Sequence, residues 1–266
     1  MALVVGIIVR KIKERIYAKP KHLQLSLNDK VIVETEHGVE FGYVFETEKE
    51  MEITKDIKLA EIVRKANDHD LKRLQNNENK NQQALNVVLK KIKDFKLDMK
   101  LTTINYTFDR TKLFIYYTSE SRVDFREFIK DLGHALKTRI QMVQIGVRDE
   151  AKIIGGISTC GQQLCCKTFL KEFSSVTIDM AKDQQLSLNT SKLSGLCGRL
   201  MCCLAYENDT YVCLRKQVPE IGSIVSTPMG KGTLKEINFV KETVNVEFSE
   251  NNTKWFNFSQ VVKQKK

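Results

Sequence analysis

MKLTTINYTFDRTKLFIYYTS, from Met99 to Ser119, consists of two runs rich in β-branched and aromatic residues, joined at Asp109-Arg110-Thr111. Such runs around a compact polar turn predict a β-hairpin. Downstream, VDFREFIKDLGHALKTR (123–139) places Phe125, Phe128, Ile129, Leu132 and Leu136 on one helical face, and IQMVQIGVR (140–148) returns to strand character. Upstream, LAEIVRKANDHDLKRLQ (59–75) and QALNVVLKKIKDFKLD (83–98) carry apolar residues at helical spacing: Leu71 and Leu74, then Leu85, Val88, Leu89 and Ile92. QNNENKNQQ between them has neither Pro nor Gly and reads as an exposed helical join. Helix, two strands, helix and strand predict an α+β fold: helices with an antiparallel sheet, as in a ferredoxin-like sandwich. That layout specifies no function.

The flanks are β-rich. LVVGIIV, HLQLSL, KVIVETE and VEFGYVFE fill most of residues 1–50, with Glu36-His37-Gly38 as a hairpin turn. At the other end, Gly222, Pro228-Met229-Gly230 and Asn251-Asn252 punctuate strand-like runs and predict a small barrel, SH3-like in size, followed by a basic KQKK tail. The expected segments are therefore a β-rich N-terminal part (1–57), an α+β sandwich (58–150), a cysteine-rich, cluster-binding segment (151–213) and a small SH3-like β-barrel (214–266).

The 266 residues carry 43 Lys+Arg against 33 Asp+Glu, a net charge of +10 that favours acidic partners without choosing among them. MALVVGIIVRKIKERIY has an apolar run too short for a membrane span, and its charges follow that run instead of preceding it as in a signal peptide. It reads as a buried strand, and the expected location is cytoplasmic, with no membrane insertion. Cytosolic thiols stay reduced, so seven clustered cysteines point to metal or redox chemistry in preference to a disulfide framework.

Six of the seven lie in two copies of one heptapeptide, Cys-Gly-x-x-(Leu/Met)-Cys-Cys, within TCGQQLCC (159–166) and LCGRLMCC (196–203). Thiolates are soft donors suited to zinc, copper(I) or iron–sulfur clusters. Neighbouring side chains diverge, so adjacent cysteines rarely chelate one ion together. The gap of four residues resembles the opening of a plant-type ferredoxin site. Two facing half-sites result: Cys160 and Cys197 give one ligand each, and one of Cys165/Cys166 and one of Cys202/Cys203 complete four thiolates. That set suits an iron–sulfur cluster, [4Fe–4S] favoured, with a single zinc as the alternative. A vicinal pair buried as plain core is the competing reading for either copy alone, and for Cys213 an ordinary core or surface position is preferred. The glycine after Cys160 and Cys197 is expected to let backbone amides approach the sulfurs. The four histidines (22, 37, 69, 134) have no ligand spacing, and Asp68, Asp70, Asp109 and Asp124 fit helix caps and turns. No catalytic constellation stands out.

The stretch from Arg139 to Asp209, including the cysteine block, MAKDQ and SGLCGRLMCCL, closely resembles the RicT (YaaT) family of bacterial regulatory proteins. VIVETEHGVEFGYV (31–44), LDMKLTTINYTFDR (97–110) and RVDFREFIKDL (122–132) resemble the same family. The resemblance implies a non-enzymatic subunit of a complex with RicA- and RicF-like helical proteins, associated with iron–sulfur clusters and with a flavin (FAD). It implies action on the membrane-anchored endonuclease RNase Y in mRNA maturation, with consequences for sporulation, competence and biofilm formation, and at most weak or indirect RNA contact. The family's cysteines fall on Cys160, Cys165, Cys166, Cys197, Cys202 and Cys203. The family has Gly-Pro before the first cysteine and Arg two residues after it, where this chain has Ser158-Thr159 and Gln162. A direct RNA-binding adaptor with a structural zinc is the alternative function.

Overall fold

The computed structural model of the chain describes residues 2–9, 12, 14–21, 23–51, 59–170, 172–249 and 252–263. His22, Asn251 and the last three residues of the KQKK tail lie outside these. The chain divides into two compact units, Met1–Gly155 and Gly156–Lys266.

The first unit begins with a closed five-stranded barrel. Its strands are β1 (Ala2–Val9), β2 (Glu14–Lys19), β3 (Lys30–Thr35), β4 (Gly38–Met51) and β5 (Ala60–Lys65), in the order β1-β2-β5-β3-β4. All pairings are antiparallel except β2 with β5, which is parallel. The N-terminal apolar run is a buried strand, as expected: Val5, Ile7 and Val9 point into a core shared with Val31, Val33, Val44 and Ile62. Two expectations are corrected. Residues 59–66 are not helical: Ala60 and Ile62 alternate with exposed neighbours and enter the barrel core, so burial at period two overrides the helical pattern, and the barrel crosses the boundary expected at 57/58. HLQLSL forms no strand over residues 23–27, where Leu23 and Leu25 pack on the barrel core, while ERIYAK does form one.

Helix α1 (Asp68–Asp94) starts at Asn67, whose side chain accepts from Asp70 N–H while the Asp70 carboxylate accepts from Asn67 N–H. The helix is continuous through QNNENKNQQ, but Asn77 and Asn81 are buried in that stretch. The predicted hairpin is present as β6 (Lys100–Tyr106) and β7 (Lys112–Thr118), followed by α2 (Arg126–Leu136), β8 (Arg139–Gln144) and α3 (Val147–Ile154). Val88, Phe128 and Leu132 join Ile104, Leu113 and Ile115 in the core between helices and sheet, as their spacing requires; Leu89 is 41% exposed. The sheet is three-stranded, in the order β6-β7-β8, with β8 parallel to β7. The expected antiparallel, ferredoxin-like sheet is thus replaced by a mixed one, because α2 lies between β7 and β8 as a crossover, and a crossover returns the chain parallel. Barrel and sheet meet at Phe41 and Phe108, and Phe108 N–H donates to Val39 C=O at 3.0 Å. The acidic residues act as caps and turns: Asp109 accepts from Thr107 and Thr111, and Asp124 accepts from Arg126 N–H.

The second unit holds α4 (Ile178–Asp183), α5 (Thr190–Leu193) and α6 (Cys202–Gln217), then β9 (Ile224–Thr227), β10 (Gly230–Asn238), β11 (Thr243–Ser249), β12 (Asn252–Asn257) and the short β13 (Val262–Lys263). These strands form one antiparallel sheet, in the order β12-β11-β10-β9-β13, around Val225, Leu234, Val244 and Val246. Among the described residues it is an open sheet; the closed barrel is at the other end of the chain. Helix α6 reaches Gln217, three residues past the expected start of this segment.

Candidate functional site

The two heptapeptides fold into the same turn at a constant offset of 37 residues. In the first copy Ser158 N–H donates to Gln162 C=O (2.8 Å) and Gly161 N–H to Ser158 C=O (2.9 Å). In the second, Gly195 donates to Arg199 and Gly198 to Gly195, each at 2.9 Å. A single β-bridge closes each turn, Ile157 with Gln163 and Ser194 with Leu200. The next contacts also correspond: Leu164 N–H to Gly156 C=O and Met201 N–H to Leu193 C=O, then Lys167 to Leu164 and Leu204 to Met201. This is a three-residue hairpin loop ending in a left-handed residue, and that position calls for glycine. Gly161 has φ +79° and Gly198 φ +74°, with open space where a Cβ would stand. The glycine after each cysteine therefore has a conformational reason beyond the amide approach that its sequence position suggests.

After the turn the copies diverge. The first continues through Thr168, which donates to Leu164 C=O, and Leu170, which donates to Cys165 C=O. In the second, Cys202 and Cys203 open the 16-residue helix α6, whose N-cap Met201 offers no side-chain hydrogen bond. The positive end of that helix favours anionic groups, thiolates among them. Behind it Leu204, Leu193 and Ala181 form a small core, and the Gln184 amide donates to Leu204 C=O at 2.6 Å.

Cys165, Cys202 and Cys203 are half-buried, and Cys160 is exposed. Cys165 and Cys203 each have Cys202 and Cys160 as electrostatic neighbours. Burial pushes the Cys165 thiol above its ordinary value; Cys202, which also shares a side-chain hydrogen bond with it, and then Cys160 push the same way. Burial likewise raises Cys203, followed by Cys165, Cys202 and Cys160. Cys166 is 5% exposed, in the position of a small core residue, and Cys197 stays in its own turn, 3.9 Å from where a Gly195 Cβ would stand. The neighbourhood therefore draws Cys160 and Cys165 from the first copy and both members of the second vicinal pair, a different grouping from two equal half-sites. No disulfide joins any of the seven cysteines, and Cys213 is exposed on α6.

The donor set fits a thiolate-held group in its chemistry. Among the described residues no three donors converge on one metal-ligating point, so binding would have to draw the sulfurs together. Sequence spacing did not reveal the apolar surface beside them. Ile157, Phe169, Leu196 and Tyr206 are exposed large side chains in or next to the turns, and Phe169 meets Tyr206 edge to face at 5.1 Å. No helix among the described residues is long and apolar enough to cross a membrane.

Residues 60–145 match the family model described as the PSP1 C-terminal conserved region, and residues 175–218 match the third domain of PSP1-like proteins. The chain is 45% identical over 245 residues to stage 0 sporulation protein YaaT of Bacillus subtilis, covering 92% of this chain and 89% of that protein. An uncharacterized protein of Schizosaccharomyces pombe is 30% identical over 46% of this chain and 20% of its own length. Protein PSP1 of Saccharomyces cerevisiae is 46% identical over 50 residues, 19% of this chain and 6% of that protein. No solved structure matches the chain. Identity at this level across about nine-tenths of both bacterial chains, together with the two PSP1 matches, makes this protein a member of the RicT (YaaT) family.

Proposed function

We propose that the protein is a non-enzymatic regulatory subunit that holds an iron–sulfur cluster through the duplicated turn and acts, with RicA- and RicF-like helical partners, on RNase Y-dependent mRNA processing in the cytoplasm. The single observation that carries this reading is the repeated turn at an offset of 37, which sets Cys160, Cys165, Cys202 and Cys203 among one another. The exposed Ile157, Leu196, Phe169 and Tyr206 support a partner surface at the same place. A cluster bound here would supply a redox-sensitive charge and hold the two turns together. The flavin expected of the assembled complex belongs to the same proposal.

Anaerobic purification with the partner subunits tests it. The expected product contains iron and absorbs near ~400 nm through thiolate-to-iron charge transfer. Serine at Cys165 or Cys202 should abolish both signals. A colourless, iron-free complex would refute the reading. A second reading, a direct RNA-binding adaptor with a structural zinc, draws on the shallow basic recess of the first unit, where Arg110, Lys130, His134, Lys137 and Arg139 converge. It predicts zinc in the purified protein and RNA affinity that falls steeply with salt.

A further inference from the structure

A cavity of about 380 Å³ opens in the first unit between the barrel, α1 and β6. This is within the ~300–1,000 Å³ range of small-molecule sites. Three asparagines line it, and all three are buried. Buried amides require partners, and the backbone fixes which way round each one sits. The Asn81 oxygen accepts from Tyr106 N–H at 3.0 Å, and the Asn105 nitrogen donates to Tyr106 C=O at 2.9 Å. Asn77 donates to Phe108 C=O and accepts from Arg110, which uses both ends of its amide.

Two polar ends are left over. Asn81 Nδ2 is a donor and Asn105 Oδ1 an acceptor, and neither has a further partner among the described residues. Both amides are tied to the backbone of one residue, Tyr106, whose N–H and C=O point to the same side of its strand, so the spare donor and acceptor are held near each other. Phe41, Tyr43 and Phe108 supply aromatic walls, and Tyr43, 43% exposed, stands at the rim. The carboxylates of Glu40, 2% exposed, and Glu78 line the same space.

We propose that this cavity binds an adenine-type heterocycle as the free base or nucleoside. The ring lies against the aromatic side chains. Its N7 accepts from Asn81 Nδ2, and its exocyclic amine donates to Asn105 Oδ1, the edge pattern that asparagine amides recognise on adenine. The nucleoside is the ligand to which the proposal commits, because the recognition lies on the base edge, and the monophosphate arm of the test asks whether the acidic lining also excludes a phosphate. This site is independent of the thiolate function.

Equilibrium dialysis of the full chain against adenosine, inosine and adenosine monophosphate tests the proposal. Saturable, one-to-one adenosine binding at or below about 1 mM is expected. Inosine, which carries an oxygen in place of the amine, should bind ~10-fold more weakly or worse, as should the monophosphate. Asn81→Asp retains the acceptor that Tyr106 N–H needs but loses the spare donor, so it should cost ~10-fold in adenosine affinity; the added buried carboxylate also lowers the melting temperature, so binding is measured well below it. Tyr43→Ala, at the exposed rim, provides a second variant with the same expected direction. No saturable adenosine binding, inosine or the monophosphate binding as well as adenosine, or both variants matching the unaltered chain would each overturn the proposal.

Discussion

Cys165 and Cys202 occupy the same position in two copies of one turn, and Cys202 is the neighbouring thiol that bears most on the Cys165 sulfur. A repeat in the sequence has thus become a contact in the fold. The thiols contributed by each copy depend on the element into which its turn runs, further short turns in the first and a helix in the second.

Metal loading should separate the seven cysteines into two groups. Serine at Cys165, Cys202 or Cys203 is expected to remove most of the iron from the anaerobically purified complex. Cys213→Ser should leave iron content unchanged and alter stability by less than ~0.5 kcal/mol, because Cys213 is exposed on the side of α6. Iron analysis of the four variants side by side checks this, and equal loading of all of them would be inconsistent with it.

Alanine at Gly161 or Gly198 meets no steric obstruction but must adopt a left-handed backbone. Each substitution should cost about 1 kcal/mol, and asparagine at the same positions less. Thermal unfolding measures the cost, and the two sites should give matching values because the turns are the same.

Arg64 and Asp70 join the barrel to α1 through two hydrogen bonds, of 2.5 and 2.9 Å. The guanidinium holds the Asp70 carboxyl at about 2 against its ordinary 3.8, overcoming the opposing effect of burial. A carboxyl depressed on folding stabilises the protein above its unfolded value, and that contribution disappears as pH falls from about 4 towards 2. Asp70 is 4% exposed, but Arg64 is 46% exposed, so solvent screens the pair and the contribution is ~1–2 kcal/mol. Asp70→Asn should lower stability by that amount at neutral pH and flatten the acid limb of a stability–pH curve. An unchanged acid limb would place the pH dependence elsewhere.

Ile62 tests the assignment of 60–65 to the barrel. It is fully buried among Val5, Val33 and Val44, so Ile62→Ala should cost ~2–5 kcal/mol in denaturant unfolding of the first unit. Val63→Ala, on the exposed side of the strand, should cost less than ~0.5 kcal/mol. A helix at this position would not separate adjacent residues so sharply.

Much of this architecture was legible where one residue pattern has one physical solution. The hairpin at 99–119 and the α2 face through Phe128 and Leu132 follow from periodicity, and the capping role of Asp70 and the turn at Asp109 follow from short-range side-chain chemistry. Ala60–Lys65 is ambiguous in the sequence because a short segment before a helix satisfies both periods, and only the waiting edges of β2 and β3 decide between them. Closure of a sheet likewise depends on strands far apart in sequence, which is why the barrel was expected at the wrong end. In the candidate site, the repeat itself was legible, but the turn was not: the glycine after each cysteine reads as an amide approach until its left-handed backbone is seen. That Cys203 neighbours Cys160 and Cys165 together with Cys202 was not legible, since it depends on how the second copy runs into α6.

The place of β5 has a kinetic consequence. It is the last strand of the barrel in the chain, and it pairs with β2 and β3, both of which precede it. During synthesis at ~5–20 residues per second, β1–β4 can form, but two edges remain unpaired until Lys65 has left the ribosome. Unpaired edges attract other strands. A stall or cleavage before residue 60 would therefore leave a sticky, unclosed sheet, and the nascent chain is at its most aggregation-prone between completing β4 and releasing β5.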